Sequence, residues 1–212
     1  MEPLVHEVAY RGEDVVNKLK SQPIVVCGCG AIGSNLIYNM IRMGFETITV
    51  IDFDRIEDHN RGTQIWGKRE VNGKKAQIMK NTAFASMGIN INAVDKKLEQ
   101  GNISKLLPKG SIVIDAFDNS ESRGLVTEYC KKAGVDCLHI GLSEGYAEIV
   151  WNEKYVVTKD SAGADVCEYP LSRSICMFSV VIGIETLVRY IGEGEKVSRS
   201  VTLGDMRIME LE

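Results

Sequence analysis

The chain has 212 residues, a formal net charge of −4 and an apolar content of 44%. So slight an acidic excess argues against a broad basic surface, and we expect neither direct nucleic-acid binding nor attachment to an anionic membrane. We find no apolar run of membrane-spanning length and no secretion signal at the N-terminus, which predicts a cytoplasmic protein. The length suits a single domain over residues 1–212.

Most of the chain alternates between predicted strands and predicted helices. In chain order, apolar periodicity and turn residues predict two short helices over 5–20 broken at Gly12, a strand at 24–26, a helix over 32–43, a strand at 48–51, a polar loop with a helical turn at 55–69, a helix over 73–85, a strand at 90–95, a short helix at 103–107, a strand at 111–115, a helix over 120–133 and a strand at 135–140. This alternation is typical of a parallel sheet.

The last third of the chain has a different pattern, typical of antiparallel strands. Its predicted elements are a hairpin of strands 146–151 and 155–158 that turns at residues 152–153, a polar loop over 161–173, a long apolar helix over 174–191 and two strands at 198–203 and 207–211. We therefore expect an α/β fold with a Rossmann-like, mostly parallel sheet that antiparallel strands continue, and with helices on both faces.

A glycine-rich turn joins the first predicted strand to its helix. Gly28, Gly30 and Gly33 have the spacing G-x-G-x-x-G. In a strand–loop–helix context the first glycine allows a tight turn, the second lets a phosphate or ribose approach the backbone, and the third lets helix and strand pack closely. The pattern predicts a mononucleotide site and leaves the nucleotide open.

Two further features extend this predicted site. The first helical turn, which includes Ala31 and Ile32, has free N–H groups that suit a bound anion. The next strand ends on Asp52, where a carboxylate can accept hydrogen bonds from ribose hydroxyls.

Polar side chains also follow the ends of other predicted strands, where ligands bind in an open parallel sheet. They are Asp54, Asn60, Arg61, Gln64, Lys74, Lys75, Asp118, Asn119 and Arg123. Cations with a separate acid suit a triphosphate and its Mg²⁺ better than they suit a dinucleotide. The alternative is a solvated loop with surface ion pairs.

These motifs together resemble the ThiF/MoeB/HesA family of ATP-dependent adenylyltransferases, the minimal relatives of ubiquitin-activating enzymes. The matching segments are GCGAIGSN at 28–35, VIDFDRIEDHN at 50–60, Gln64, GKKA at 73–76 and DAFDNSESR at 115–123. The resemblance implies ATP and Mg²⁺ as cofactors, a parallel sheet continued by antiparallel strands, and a homodimer. It covers nearly the whole chain.

The resemblance also implies a role for each matching residue. Asp52 would bind ribose with Asp54 beside it, Asn60 would contact phosphate near Gln64, Asp118 would bind Mg²⁺, Asn119 would lie near the adenine, Arg123 would support the loop, and Arg11 would reach the triphosphate of a neighbouring subunit. Lys75 is the better match to the family's phosphate lysine, and Lys74 is the alternative. The family's arginine after the asparagine corresponds to Arg61, which here adjoins Asn60 directly.

By the same resemblance, the substrate is the C-terminal glycine of a small ubiquitin-fold carrier protein or of a peptide, whose tail would pass beneath the loop at 161–173. Cys167 in that loop would accept the acyl group or carry sulfur, or it is a half-buried thiol without chemistry. None of the six cysteines has C-x-x-C spacing, so we expect no structural zinc and mostly reduced thiols.

The residues are also compatible with two other functions. An NAD-dependent oxidoreductase would use the same glycines and Asp52, with His139 as its candidate proton donor, although we expect His139 to be a core residue. A non-catalytic scaffold of the same fold would hold a peptide partner without using the acids and the lysine.

Overall fold

The computed structural model describes residues 3–158 and 170–212. Its strands form one sheet in the order β3-β2-β1-β4-β5-β6-β7-β8. The strands are β1 Ile24–Cys27, β2 Ile48–Ile51, β3 Asn92–Val94, β4 Ile112–Asp115, β5 Cys137–Ser143, β6 Tyr146–Trp151, β7 Ser198–Thr202 and β8 Arg207–Leu211. The pairs from β3 to β5 are parallel and those from β5 to β8 are antiparallel, which confirms the predicted sheet.

Helices cover both faces of this sheet. They are α1 Val5–Arg11, α2 Glu13–Ser21, α3 Ala31–Arg42, α4 Lys75–Met87, α5 Ile103–Leu106, α6 Ser120–Ala133 and α7 Arg173–Glu193, with 3₁₀ turns at Asp58–Gly62 and Lys68–Glu70. One core cluster packs α3, α4 and α7 against the sheet. A second cluster packs α5 and α6 against the opposite face.

The predicted hairpin in the last third is wrong. β6 pairs with β5 across a turn at residues 144–145, and its other neighbour is β7. Residues 155–158 are not a strand, because the chain turns after Trp151 and the side chain of Tyr155 stacks on His139 with 3.7 Å between ring centroids. Tyr155 is therefore recruited to a buried side-chain contact instead of a backbone ladder.

Helix α7 is the long apolar helix that the sequence predicts. Its length and apolar composition are those of a helix that can cross a membrane, whereas we expected no such segment. The core helix of a soluble protein can have the same length and composition. It packs on α3 and on β5, β6 and β7. At Gly183 the approach is so close that a Cβ would lie 2.6 Å from Ile140 Cδ1.

A matched pair of phenylalanines tests this description of the core. Phe45 is fully buried, whereas Phe84 on α4 is 64% exposed. We expect Phe45→Ala to lower the free energy of unfolding by about 3–5 kcal/mol. Phe84→Ala should change it by less than about 0.5 kcal/mol. Urea unfolding measures both values, and equal losses would contradict the assignment of Phe45 to the core.

Candidate functional site

The predicted site residues follow neighbouring strands at one edge of the sheet. Cys27 at the end of β1 is in register with Ile51 of β2 and with Asp115 of β4. The pairing continues one residue further, since Gly28 N donates to Ile51 O at 2.9 Å and Ala116 N donates to Cys27 O at 2.9 Å. The glycine loop, Asp52 and residues 116–119 therefore meet where the strand order reverses, beside β1.

The three glycines of the loop have different surroundings. Gly28 has a φ of +94°, and a Cβ there would lie 2.9 Å from Ala116 O. A Cβ on Gly33 would lie 2.0 Å from Gly28 O, so α3 can approach β1 only without a side chain at this position. A Cβ on Gly30 would meet nothing within 4 Å. At Gly28 and Gly33 the loop therefore packs too closely on other backbone atoms for a side chain to fit, whereas at Gly30 it faces open space.

Helix α3 begins at this open position. Gly30 is its N-cap residue and makes no side-chain cap. The N–H groups of the first turn, at Ala31 and Ile32, are therefore left for a bound anion or for solvent. The arrangement can hold a phosphate without any charged side chain from the loop itself.

Asp52 ties the end of β2 to the glycine loop. Its Oδ2 accepts a hydrogen bond from Cys29 N at 2.6 Å, and its Oδ1 accepts one from Asp54 N at 2.8 Å. The residue is 7% exposed. Burial raises the pKa of Asp52, although the charge of Lys75 and the two backbone donors act in the opposite direction. Each carboxylate oxygen keeps acceptor capacity for a ligand hydroxyl.

The structure separates the two candidate lysines. Lys75 is buried, its Nζ lies 3.1 Å from Asp54 Oδ2, and its charge acts on Asp52. Lys74 is half-exposed and pairs with Asp95, which follows β3. Lys75 therefore lies among the residues around the glycine loop, and Lys74 lies on the side of β3, with Asp95.

Asn60 lies in the first 3₁₀ turn, Asp58–Gly62. Asn60 is buried, and its Oδ1 accepts from Glu57 N at 2.9 Å. Asn35 in α3 donates its side-chain amide to Thr63 O at 2.8 Å and so holds this segment on the helix.

Gln64 and Arg61 differ sharply in their surroundings. Gln64 is buried, and its Oε1 accepts from Trp66 Nε1 at 2.5 Å. Arg61 is exposed and pairs with Asp58 at 2.7 Å on the same turn. The Arg61 guanidinium therefore pairs within its own 3₁₀ turn, with the residue three positions earlier.

The loop after β4 carries Asp118 and Asn119. Asn119 caps α6, because its Oδ1 accepts from Ser122 N at 2.9 Å. Its Nδ2 donates to Asp118 Oδ1 at 3.3 Å. Asp118 is exposed at this edge. Within residues 3–158 and 170–212 no group of three or more His, Cys, Asp or Glu could hold a metal. A Mg²⁺ on Asp118 would thus need ligand phosphate oxygens, as Mg²⁺ commonly does.

Arg123 lies beneath this loop. It donates to Tyr155 OH at 3.0 Å and to Ile140 O at 2.8 Å, and it lies 3.9 Å from Asp115. Burial lowers the pKa of Arg123, but the charge of Asp115 and the contact with Tyr155 raise it further, so the net direction is upward. The guanidinium joins α6, β5 and the chain after β6.

Sequence reasoning missed a buried polar cluster beside Arg123. Asp115 and His139 are register partners on adjacent strands, and both are fully buried. His139 contacts Asp115 through Nδ1 and Asn152 through Nε2, each at 2.8 Å. The prediction that His139 is a core residue is confirmed, but its partners were not found. The available signal was a polar residue inside each of two apolar strands that were expected to be parallel.

The remaining predicted residues lie elsewhere or outside the described chain. Arg11 donates both terminal nitrogens to Glu185 of α7, at 3.1 and 2.5 Å, and its Nε to Glu7 at 2.7 Å. Within one chain it therefore lies against α7. Cys167 lies outside the described residues.

Glycine substitutions test the geometry of the loop. Gly33→Ala should lower the free energy of unfolding by at least about 1–3 kcal/mol, because its Cβ would overlap the Gly28 carbonyl. Gly124→Ala is the matched control, since Gly124 is also a helical glycine, in α6, and its Cβ would meet nothing within 4 Å. Thermal and urea unfolding of the two variants compare them. A Gly33→Ala protein as stable as Gly124→Ala would contradict the close packing of α3 on β1.

Comparison with known proteins adds the family context. The ThiF family model matches residues 5–181. The chain is 28% identical over 144 residues to SUMO-activating enzyme subunit 2 of Dictyostelium discoideum, covering 66% of this chain and 22% of that protein. It is 27% identical over 146 residues to the probable adenylyltransferase/sulfurtransferase MoeZ of Mycobacterium tuberculosis, covering 67% of this chain and 37% of that protein. The chain thus spans well under half the length of these two relatives.

The fold matches that of E. coli MccB. With MccB solved together with MccA-N7isoASN, the TM-score is 0.82 at 16% identity, covering 98% of this chain and 69% of the other. With MccB solved together with ATP, the TM-score is 0.79 at 16% identity, with the same shares covered. At this identity the likeness shows the shared fold.

Proposed function

We propose that this chain, which belongs to the ThiF family, is an ATP-dependent adenylyltransferase that converts a substrate carboxylate into an acyl adenylate. The observation that carries the proposal is the single edge where the glycine loop, Asp52, Lys75 and Asp118 follow adjacent strands. Relatives are named as an adenylyltransferase and as an activating enzyme, which agrees with this chemistry.

The nucleotide would lie across the open side of the loop. Gly30 leaves room for close approach, and the first-turn N–H groups at Ala31 and Ile32 would face a phosphate. Asp52, already oriented by two backbone donors, would accept hydrogen bonds from ribose hydroxyls. Lys75 would supply positive charge toward the phosphates by exchanging Asp54 for them.

Asp118 would hold Mg²⁺ together with phosphate oxygens. The residues fit such an ion, because Asp118 is an exposed carboxylate at the same edge and is oriented by the Asn119 side chain. When bound, the ion would neutralise charge on the phosphates. Asn119 Oδ1 caps α6, and a contact with adenine would use the second lone pair of that oxygen or the amide nitrogen.

The reaction requires little proton transfer. A carboxylate oxygen of the substrate attacks the α-phosphorus of ATP, a new O–P bond forms, and the bond from the α-phosphorus to the bridging oxygen breaks. Pyrophosphate leaves with that electron pair, and the acyl adenylate remains. The nucleophile is already ionised, so alignment and charge neutralisation by the lysine and the metal would carry catalysis.

We further propose that the substrate is the C-terminal glycine of a ubiquitin-fold carrier or of a peptide. Relatives named for SUMO activation, and MccB solved with MccA-N7isoASN, support this class. An apolar groove of about 630 Å³ also supports it, lined by Glu144, Gly145, Pro170, Leu171, Ser172 and Leu203. The turn at residues 144–145 follows the carboxyl end of β5, so this groove opens at the same edge as Asp118. An extended tail could lie there. Cys167 as a later acyl or sulfur acceptor belongs to the same proposal.

The proposed homodimer gives Arg11 a function in trans. Arg11 would leave Glu7 and Glu185 and reach the triphosphate of the neighbouring subunit. Val181 on α7 is 52% exposed and lies one helical turn from Glu185, which is compatible with such a contact. We also keep a cytoplasmic location as a proposal, in agreement with the five free cysteines among the described residues.

Exchange of labelled pyrophosphate into ATP tests the reaction. We expect exchange that depends on Mg²⁺ and on an added ubiquitin-fold protein or peptide ending in glycine. Asp118→Asn should lower the rate at least ~100-fold because it removes the negative charge of the proposed metal ligand. Asp14→Asn, an exposed carboxylate on α2, is the control and should leave the rate unchanged.

Two results would overturn the proposed activity. Tight NADH binding without Mg-ATP binding in isothermal titration would favour an oxidoreductase. Mg-ATP binding without exchange, for every carboxylate offered, would favour a non-catalytic scaffold.

A mixing experiment tests Arg11 in trans. Arg11→Ala and Asp118→Ala homodimers should each be inactive. Their mixture should regain up to about a quarter of wild-type exchange per active site, because a mixed dimer assembles one site with both residues intact. A mixture as inactive as its components, with subunit exchange verified by mass spectrometry, would rule out the role in trans.

A further inference from the structure

We infer that His139 is a positioning residue that holds the Asp118 loop through Asp115, and that Asn152 and Tyr155 hold His139 in turn. This inference rests on the proposed adenylation for its effect on Mg²⁺. Its effect on the loop itself needs no nucleotide. None of these residues needs to contact substrate to act in this way.

The contacts of His139 fix its ring on three sides. Nδ1–H donates to Asp115 Oδ2 at 2.8 Å, and Nε2 lies 2.8 Å from Asn152 Oδ1. The ring of Tyr155 lies flat against the imidazole, with 3.7 Å between centroids and 6° between planes. The imidazole is fully buried, so it cannot reach a substrate. The oxygen and nitrogen of the Asn152 side-chain amide can be exchanged by a 180° rotation. In both orientations His139 Nδ1–H donates to Asp115.

Asp115 passes this constraint to the loop. Its Oδ2 accepts from His139, while its Oδ1 accepts from Phe117 N at 3.1 Å, which is the amide just before Asp118. Without a donor at Oδ2, a fully buried carboxylate would lose its nearest partner, since Arg123 is 3.9 Å away. Asp115 would then turn toward Arg123 or toward solvent, and the hydrogen bond to Phe117 N would loosen.

The far end of the loop is fixed by the same cluster. Arg123 lies one turn into α6, four residues after the Asn119 cap, and it donates to Tyr155 OH and to Ile140 O. Lys131, further along α6, donates to Tyr155 O at 3.1 Å. Residues 116–119 are therefore held at their start by Asp115 and at their end by Arg123, and His139 with Tyr155 joins the two points.

This geometry makes the direction of the Asp118 carboxylate depend on the buried His139 of the adjacent strand β5 and on its partners. Asp118 itself is exposed and accepts a 3.3 Å hydrogen bond from Asn119 Nδ2. A metal ligand on an otherwise free loop loses affinity through disorder, and supporting residues commonly change metal affinity 10–100-fold. The cluster thus adds buried support for the loop to the single exposed hydrogen bond from Asn119.

The test compares His139→Phe and Asn152→Ala with wild-type protein. His139→Phe keeps a ring against Tyr155 but removes both hydrogen bonds, and Asn152→Ala removes only the outer one. Thr186→Val is the control, because it removes a similarly buried hydroxyl on α7 that bonds Arg199 and does not contact the cluster.

Two quantities are measured on each protein. The first is amide hydrogen exchange over residues 116–122 without nucleotide, which should be ~10-fold faster in His139→Phe and less affected in Asn152→Ala. The second is the Mg²⁺ concentration for half-maximal pyrophosphate exchange, which should rise ~10-fold in His139→Phe. ATP affinity in EDTA and the KM for the carboxylate should stay within about twofold. Thr186→Val should change neither quantity, even if it lowers the melting temperature.

The outcomes separate the two proposals. Unchanged loop exchange in His139→Phe, or faster loop exchange with an unchanged Mg²⁺ midpoint, overturns the positioning role. A wild-type protein without Mg²⁺-dependent activity overturns the proposed function, and the hydrogen-exchange result then decides on its own whether His139 holds the loop. If His139→Phe does not fold, Asn152→Ala decides by the same two measurements, with smaller expected changes of about threefold.

Discussion

The in-register parallel pairing of β1 with β2 and β4 is the constraint on which the candidate site depends. Because Cys27 faces both Ile51 and Asp115, three segments distant in sequence leave the sheet side by side. Backbone hydrogen bonds continue one residue past the strand ends and hold those segments together without side-chain contacts. A shift of one residue in either pair would turn Asp52 or Asp115 to the opposite face of the sheet.

Two buried carboxylates then serve different purposes at this edge. Asp52 accepts hydrogen bonds from Cys29 N of the glycine loop and from Asp54 N, and it interacts with the charge of Lys75 at a surface that a ligand can reach. Asp115 is satisfied by His139 and by Phe117 N and lies beneath that surface. One carboxylate faces the proposed nucleotide, and the other holds the loop of the proposed metal ligand. The same residue type acquires these roles through its partners.

Much of the fold followed from local patterns, and the failures have physical reasons. The helix predicted over 120–133 matches α6, since its asparagine cap and its ending before Gly134 are local signals. The sequence predicts a strand at residues 155–158 as the second half of a hairpin. The structure instead uses Tyr155 to cover His139, a contact between residues that no short pattern connects. Arg11 shows the same limit, since its partner Glu185 is 174 positions away.

Apart from the strand wrongly predicted at 155–158, the sequence by itself determined the order of strands and helices, the glycine loop and the set of acids and cations, because periodicity, turn residues and motif spacing are local properties. It also indicated the ThiF family, which the match over residues 5–181 confirms. Only the tertiary structure decided that Lys75 rather than Lys74 lies beside Asp52, and that Asp115, His139, Asn152 and Tyr155 form one buried cluster. Those outcomes depend on strand register and on which side of a helix meets the sheet. Contacts of this kind are set by the packing of the whole chain, because burial of a polar group is tolerated only where a partner from another element satisfies it.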